Sequence, residues 1–194
     1  MRLVALCLLA SVLIPSLTLA QEVPVFAITP AESSIKFDVE ASVAIKGTFD
    51  KWDATLTFTS PDVSTGVLDV KIQAATVDTG SGLKNGKLKG PDFFDAANNP
   101  LITFKSTKIS QTGPATFEVD GNFTIRGVTR PESLTLAVSG VGTGSGEIRG
   151  TLYFDRKDYG MNSGIPFIKI ANRVEVNVDL KGTRVSGPPL VLKQ

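Results

Sequence analysis

Apolar and polar residues alternate along most of this chain. From Ser34 to Gly47, Ile35, Phe37, Val39, Ala41, Val43 and Ile45 share one phase, while Ser34, Lys36, Asp38, Glu40, Ser42 and Lys46 share the other. A two-residue period places successive side chains on opposite faces of an extended chain, so the stretch predicts a strand with one apolar and one wet face. The pattern returns in Trp52–Phe58, in Leu68–Ala74, and in 101–109 with Ile102, Phe104 and Ser106 on one face. It continues through Phe117–Ile125, Leu134–Val138, Ile148–Phe154 and Val174–Leu180. With a short first strand near 25–29, eight or nine strands are expected.

Turn residues separate these runs, as in "SPDVSTG" at 60–66 and "GVTRPE" at 127–132. Regular strands between Gly, Pro, Ser and Asn clusters predict an all-β antiparallel sandwich or barrel. Several runs reach ten residues, longer than the usual five or six, and that length favours a barrel, where closure removes exposed edges. Gly121 and Gly150 inside strands fit bends or bulges at barrel corners. The segment 79–100, "TGSGLKNGKLKGPDFFDAANNP", breaks the rhythm. It reads as a long loop with a short helical turn near 83–89, weakened by two glycines. Adjacent Phe93 and Phe94 predict that at least one is buried over an end of the barrel.

Residues 1–20 stand apart. Arg2 is followed by an uncharged apolar run, and Thr18 and Ala20 supply small residues before Gln21, the layout of a secretory signal peptide cleaved between Ala20 and Gln21. Cys7 sits too early for lipoprotein processing. Removing 20 of the 194 residues leaves a single domain, 21–194, with 19 basic and 19 acidic side chains and no cysteine. Such a balance offers nothing to attract nucleic acid, and no basic run suggests a membrane patch. The chain contains no histidine, which excludes His-based triads and His-ligated zinc. An exported, periplasmic location is expected.

The candidate carboxylate pairs are Asp92/Asp95 and Asp155/Asp158, spaced three apart beside Gly or Pro, where turns and caps also use aspartate. Asn122 in "NFT" matches a glycosylation acceptor but lies in mid-strand. A membrane barrel would carry aromatic girdles, whereas the chain has one Trp and two Tyr. An eight-stranded barrel is either just filled by its side chains or holds one small ligand. Ala41, Val43, Ala54, Ala74, Gly121 and Gly150 on the apolar phase predict room for a guest.

The order of several pieces resembles the YceI-like family of periplasmic, lipocalin-like proteins associated with polyisoprenoid binding. The resemblance rests on "ITPAESSIKFDV", "IKGTFDKW", "AATVDTGSGLKNGKLKGPDFFDAANNPLITFKSTKI", "VDGNFTIRGVTRPESLTL", "FDRKDYGM" and "NRVEVNVDLKG". It implies an eight-stranded antiparallel lipocalin-like barrel whose apolar interior takes one isoprenoid chain, such as a quinone tail or prenyl phosphate. Family members tend to carry an Arg-Asp-x-His-Leu-Arg-like run before the "FFD" element. Here Lys84, Asn85, Gly86, Lys87, Leu88 and Lys89 keep the basic character and lose the Asp and His.

The expected lining is Phe37, Val39, Trp52, Leu56, Phe58, Ile72, Ile102, Phe104, Phe123 and Phe154, with Leu88, Phe93 and Phe94 closing one end. Lys84, Asn85, Lys87 and Lys89 are the candidate head-group contacts. No catalysis, metal or required cofactor is expected; the guest would be an isoprenoid lipid or quinone, and the protein a monomer or dimer that does not span the membrane. Two other readings stand: a hydrolase-type enzyme using Asp92/Asp95 or Asp155/Asp158, and a packed barrel with a stress-related structural role.

Overall fold

The computed structural model describes residues 22–42, 44–140, 143–164 and 168–192. The signal-peptide residues Ala20 and Gln21, and Val43, one of the small residues expected to leave room for a guest, lie outside the described residues. The elements in chain order are β1 (Val25–Ile28), β2 (Ser34–Ala41), β3 (Ile45–Phe49), β4 (Trp52–Thr57), β5 (Val67–Gln73) and β6 (Val77–Asp78). Helix α1 (Gly82–Lys89) follows, then β7 (Leu101–Gln111), β8 (Thr116–Ile125), β9 (Val128–Ser139), β10 (Ser145–Asp155) and β11 (Ile170–Ser186). Every ladder between these strands is antiparallel, and one sheet runs β4-β5-β7-β8-β9-β10-β11-β2-β3-β6.

Chain continuity reduces these strands to the expected eight staves. β3 runs into β4 through a bend at Asp50 and Lys51, and β5 runs into β6 through the 3-10 turn Ala74–Thr76. The two bends face each other: Asp50 donates its backbone N–H to Thr76 O, and Gln73 donates to Lys51 O. β3 pairs with β2 and β6 while β4 pairs with β5, so two bent strands bring the ends of the sheet path together. β1 is an extra strand on the final turn of β11, opposite Gly182–Ser186, beyond the Ile170–Asp179 segment that β2 covers.

The continuous strand expected over Ser34–Gly47 is a hairpin. β2 stops at Ala41, the chain turns, and Val39 faces Ile45 across the ladder with both side chains buried. Side chains of directly paired residues lie on one face, so the apolar phase survives the turn and the alternation conceals it. Lys46 on one arm pairs with Asp38 on the other.

The interior glycines do not leave the space expected of them. A Cβ on Gly121 would lie 2.5 Å from the Phe104 ring, and one on Gly47 2.6 Å from the Phe37 ring. At Gly150 it would meet Leu136 at 2.4 Å and Val178 at 2.7 Å. Each glycine is the socket for a neighbour's side chain. The bend expected at Gly121 does occur, because the β7–β8 register shifts between Ser106 and Lys108, opposite Gly121 and Asp120.

Helix α1 forms despite Gly82 and Gly86, since its support is tertiary. Leu88 is its one buried residue. Asn85 accepts hydrogen bonds at Oδ1 from the backbone N–H and hydroxyl of Thr79 and donates through Nδ2 to Asp78 Oδ1. Lys87 and Lys89 lie in the last turn, where cations suit the helix dipole.

Candidate functional site

The inward faces enclose two apolar cavities set end to end. The wider has a volume of about 170 Å³ and the narrower about 70 Å³. Successive inward residues divide between them: Ile35, Val70 and Val178 line the wider cavity, while Phe37, Ile72 and Val176 line the narrower. Phe104 and Leu152 line neither, and both are buried. Phe104 faces Val70 of the wider cavity on one side and Phe123 of the narrower on the other. Leu152 likewise stands between Leu134 and Val176. These two side chains sit at the level where the two linings meet, the waist of the interior.

The narrower cavity ends under the 79–100 segment. Phe94 packs edge-on against Phe37, with centroids 6.2 Å apart, and lies 5.8 Å from Phe49. The segment is tied from within: Phe94 and Ala96 donate backbone N–H groups to Leu88 O and Lys89 O, and Asp95 donates to Gly90 O. Asp95 itself has a positive φ of 48°, and its carboxylate accepts from the side-chain amides of Asn98 and Asn99. Leu88, Phe93 and Phe94 are all buried and shut this end.

"FDRKDYGM" builds the neighbouring wall. Asp155 accepts the Lys157 backbone N–H and starts the 3-10 turn Arg156–Tyr159, which Gly160 ends in a left-handed conformation at φ 75°. The turn buries Tyr159 completely between Phe123 and Phe154, with centroids 5.5 and 5.2 Å away. Its hydroxyl donates to Glu132 Oε1 at 2.8 Å. Burial, and then this contact with Glu132, push the phenol well above its ordinary value. Arg156 is also buried; it donates through Nε to Ala171 O and through Nη1 to Met161 O and Ser163 O.

Of the residues expected to line the interior, Leu56 and Phe58 face the wider cavity and Trp52 and Phe104 face neither. The others face the narrower cavity. Most of the wider cavity belongs to positions not singled out in the sequence. Leu134, Leu136, Ile148 and Leu180 lie on the alternating phase already visible there, so the signal was present. Leu190 and Leu192 had no such signal. They reach the cavity because the tail crosses its mouth, with the Val191 N–H donated to Pro61 O at 2.8 Å.

The candidate head-group residues line neither cavity. Lys84 donates to Ala44 O at 3.3 Å, and Lys87 pairs with Asp92 and lies 5.9 Å over the Phe93 ring. That ion pair, followed by the Ser163 hydroxyl, holds the Asp92 carboxyl below the usual carboxylate range. Three of the four aspartates have structural partners: Asp92 binds Lys87 and Ser163, Asp95 its own loop, and Asp155 the turn after β10. Neither pair shares a partner that would poise one member as an acid and the other as a base. An outer polar hollow of about 420 Å³ contains Asp120 and Glu132, which accept from the hydroxyls of Ser133 and Tyr159. No helix among the described residues is long and apolar enough to cross a membrane.

Comparison with known proteins matches this architecture. A UPF0312 protein of Azotobacter vinelandii is 26% identical over 145 residues, covering 71% of this chain and 73% of that one. One from Pseudomonas aeruginosa is 27% identical over 143 residues, with the same coverages of 71% and 73%. Among solved structures, Burkholderia cenocepacia BcnA superposes with a TM-score of 0.72 at 24% identity, covering 80% of this chain and 99% of that one. A polyisoprenoid binding domain from Saccharophagus degradans, implicated in plant cell wall breakdown, gives a TM-score of 0.67 at 16% identity, covering 83% and 99%. At these identities the two structures establish a shared fold. The YceI-like domain model matches residues 26–182, which take in β2 to β10, most of β11 and both walls of the waist, and the chain therefore belongs to the YceI-like domain family.

Proposed function

We propose that this protein is an exported carrier that holds an isoprenoid-type amphiphile, a quinone or prenyl phosphate, in its barrel interior. The observation that carries the reading is the pair of apolar cavities on one axis. An apolar space of about 170 Å³ leaves its walls without contacts that a guest would supply. Each CH₂ of a guest contributes ~0.8 kcal/mol on burial, so a prenyl tail supplies ample binding energy even after association costs. Walls built mainly of Phe, Leu, Ile and Val select by size and shape, which suits a long flexible chain. The polyisoprenoid binding domain with the same fold supports the choice of ligand class.

The test is to purify the full chain from the cells that make it and extract it with organic solvent. A prenyl lipid in stoichiometric amount by mass spectrometry is the expected result. A protein that emerges empty, and then takes up neither an isoprenoid quinone nor a prenyl phosphate, overturns the reading. The mass of the intact protein in the same preparation reports export, since cleavage after Ala20 leaves Gln21 as the first residue.

A further inference from the structure

The carrier reading leaves open which end of the barrel receives the polar head. At the α1 end, Leu88, Phe93 and Phe94 are packed shut, Lys87 is paired with Asp92, and Lys84 is turned to Ala44 O. The opposite end is different. The wider cavity has a polar rim made by Ser139 at the end of β9, Ser145 at the start of β10, and Arg184 on β11. Hydrogen bonding fixes these pieces together: Ser145 pairs with Thr183 across the ladder, and Arg184 donates its backbone N–H to Gly144 O at 2.7 Å.

Arg184 is half-buried and is, among the described residues, the one ionisable group in the lining of the wider cavity. No acidic side chain among the described residues forms an ion pair with it. Its guanidinium donates through Nη1 to the backbone carbonyl of Gly187. A guanidinium at the edge of an apolar cavity, with a neutral partner and two hydroxyls close in the fold, suits a group that is negative and offers several acceptor oxygens. The other guanidinium bordering a cavity, Arg156, spends Nε and Nη1 on three carbonyls that hold the wall together.

We propose that Arg184, with Ser139 and Ser145, forms a site for the anionic head group of an amphiphile, a phosphate or carboxylate, whose tail runs inward toward the Phe104–Leu152 waist. The site rests on the carrier reading and adds to it a polarity and a head-group chemistry. Arg184 lies two residues beyond the 26–182 segment that matches the family model. The tail from Gly187 to Leu192 then closes over the head, and the carbonyl of Gly187 couples that closure to Arg184.

The test compares farnesyl phosphate, farnesol and palmitate binding to the full-length protein by calorimetry. The unmodified protein is expected to bind farnesyl phosphate roughly ten- to a hundredfold tighter than farnesol, the range for a charge-assisted contact. Arg184→Gln should erase that preference while leaving farnesol affinity unchanged, which also shows that the variant is folded. Arg184→Lys should restore part of it. Palmitate weakened by Arg184→Gln along with the phosphate identifies the shared feature as negative charge; palmitate unaffected by it, with the phosphate weakened, assigns the site to phosphate. Lys84→Gln with Lys87→Gln should leave the preference intact. Equal affinity for farnesol and farnesyl phosphate, or a preference that survives Arg184→Gln, overturns the site while the carrier reading stands. No binding of any probe overturns both.

Discussion

The ring of Phe104 rests where a side chain on Gly121 would be, with Cζ 2.5 Å from the position of that missing Cβ. Phe104 is paired with Phe123 and Gly121 with Ser106, so ring and glycine are diagonal neighbours on one face of β7 and β8, beside the register shift.

Gly121→Ala should therefore destabilise the fold. The new methyl would also meet Lys105 O at 2.8 Å, so ring rotation alone does not relieve the clash. Overpacking of this kind costs about 1–3 kcal/mol. The denaturant midpoint should fall, and less so in a Phe104→Leu background, where the socket is no longer filled. Equal losses in both backgrounds would show that the ring and the glycine are not coupled.

Phe104→Ala should merge the two cavities. A buried Phe→Ala change costs about 3–5 kcal/mol in the empty protein. A long apolar probe should return part of that stability by occupying the joined space, and should bind this variant better than the unmodified protein. Thermal unfolding with and without probe measures both effects.

Tyr159 predicts a loss of stability in alkali. Burial and Glu132 raise its folded pKa above the ordinary value near 10, so the folded state retains a proton that the unfolded chain releases. The contribution is complete below about pH 10 and declines as pH rises above it. Unfolding free energy measured from pH 8 upward should fall, and Tyr159→Phe should flatten that fall. A parallel decline in the variant would assign the effect to other groups.

Truncation after Gly187 removes Leu190 and Leu192 from the mouth of the wider cavity. Each is half-buried, so the loss of stability should be modest, about 1–3 kcal/mol in total. The dissociation rate of a bound apolar fluorophore should rise markedly. An unchanged rate would show that guests leave by another route.

Much of the barrel was legible in the chain because a two-residue period is a local property. Val70, Ile72, Phe123 and Phe154 needed only their neighbours to be assigned inward, and they point inward. The alternation could not reveal the turn between β2 and β3, since facing residues of a hairpin keep the same phase. It misjudged Gly121 and Gly150 because a glycine's space is defined by whatever packs on it from another strand. Lys84, Lys87 and Lys89 illustrate the same limit: their charge is local, but whether a cation meets the cavity depends on long-range closure. Lys87 is taken by Asp92, while Arg184, unremarkable in its stretch of sequence, reaches the rim.

By itself, then, the sequence determined which faces are apolar, that the fold is an antiparallel β-barrel and which family it resembles, because each depends on pattern along the chain. The tertiary structure alone decided that the interior is two cavities separated by Phe104 and Leu152, and that the tail crosses the wider mouth. Those features arise where side chains distant in sequence compete for one enclosed volume, and close packing settles that competition in three dimensions.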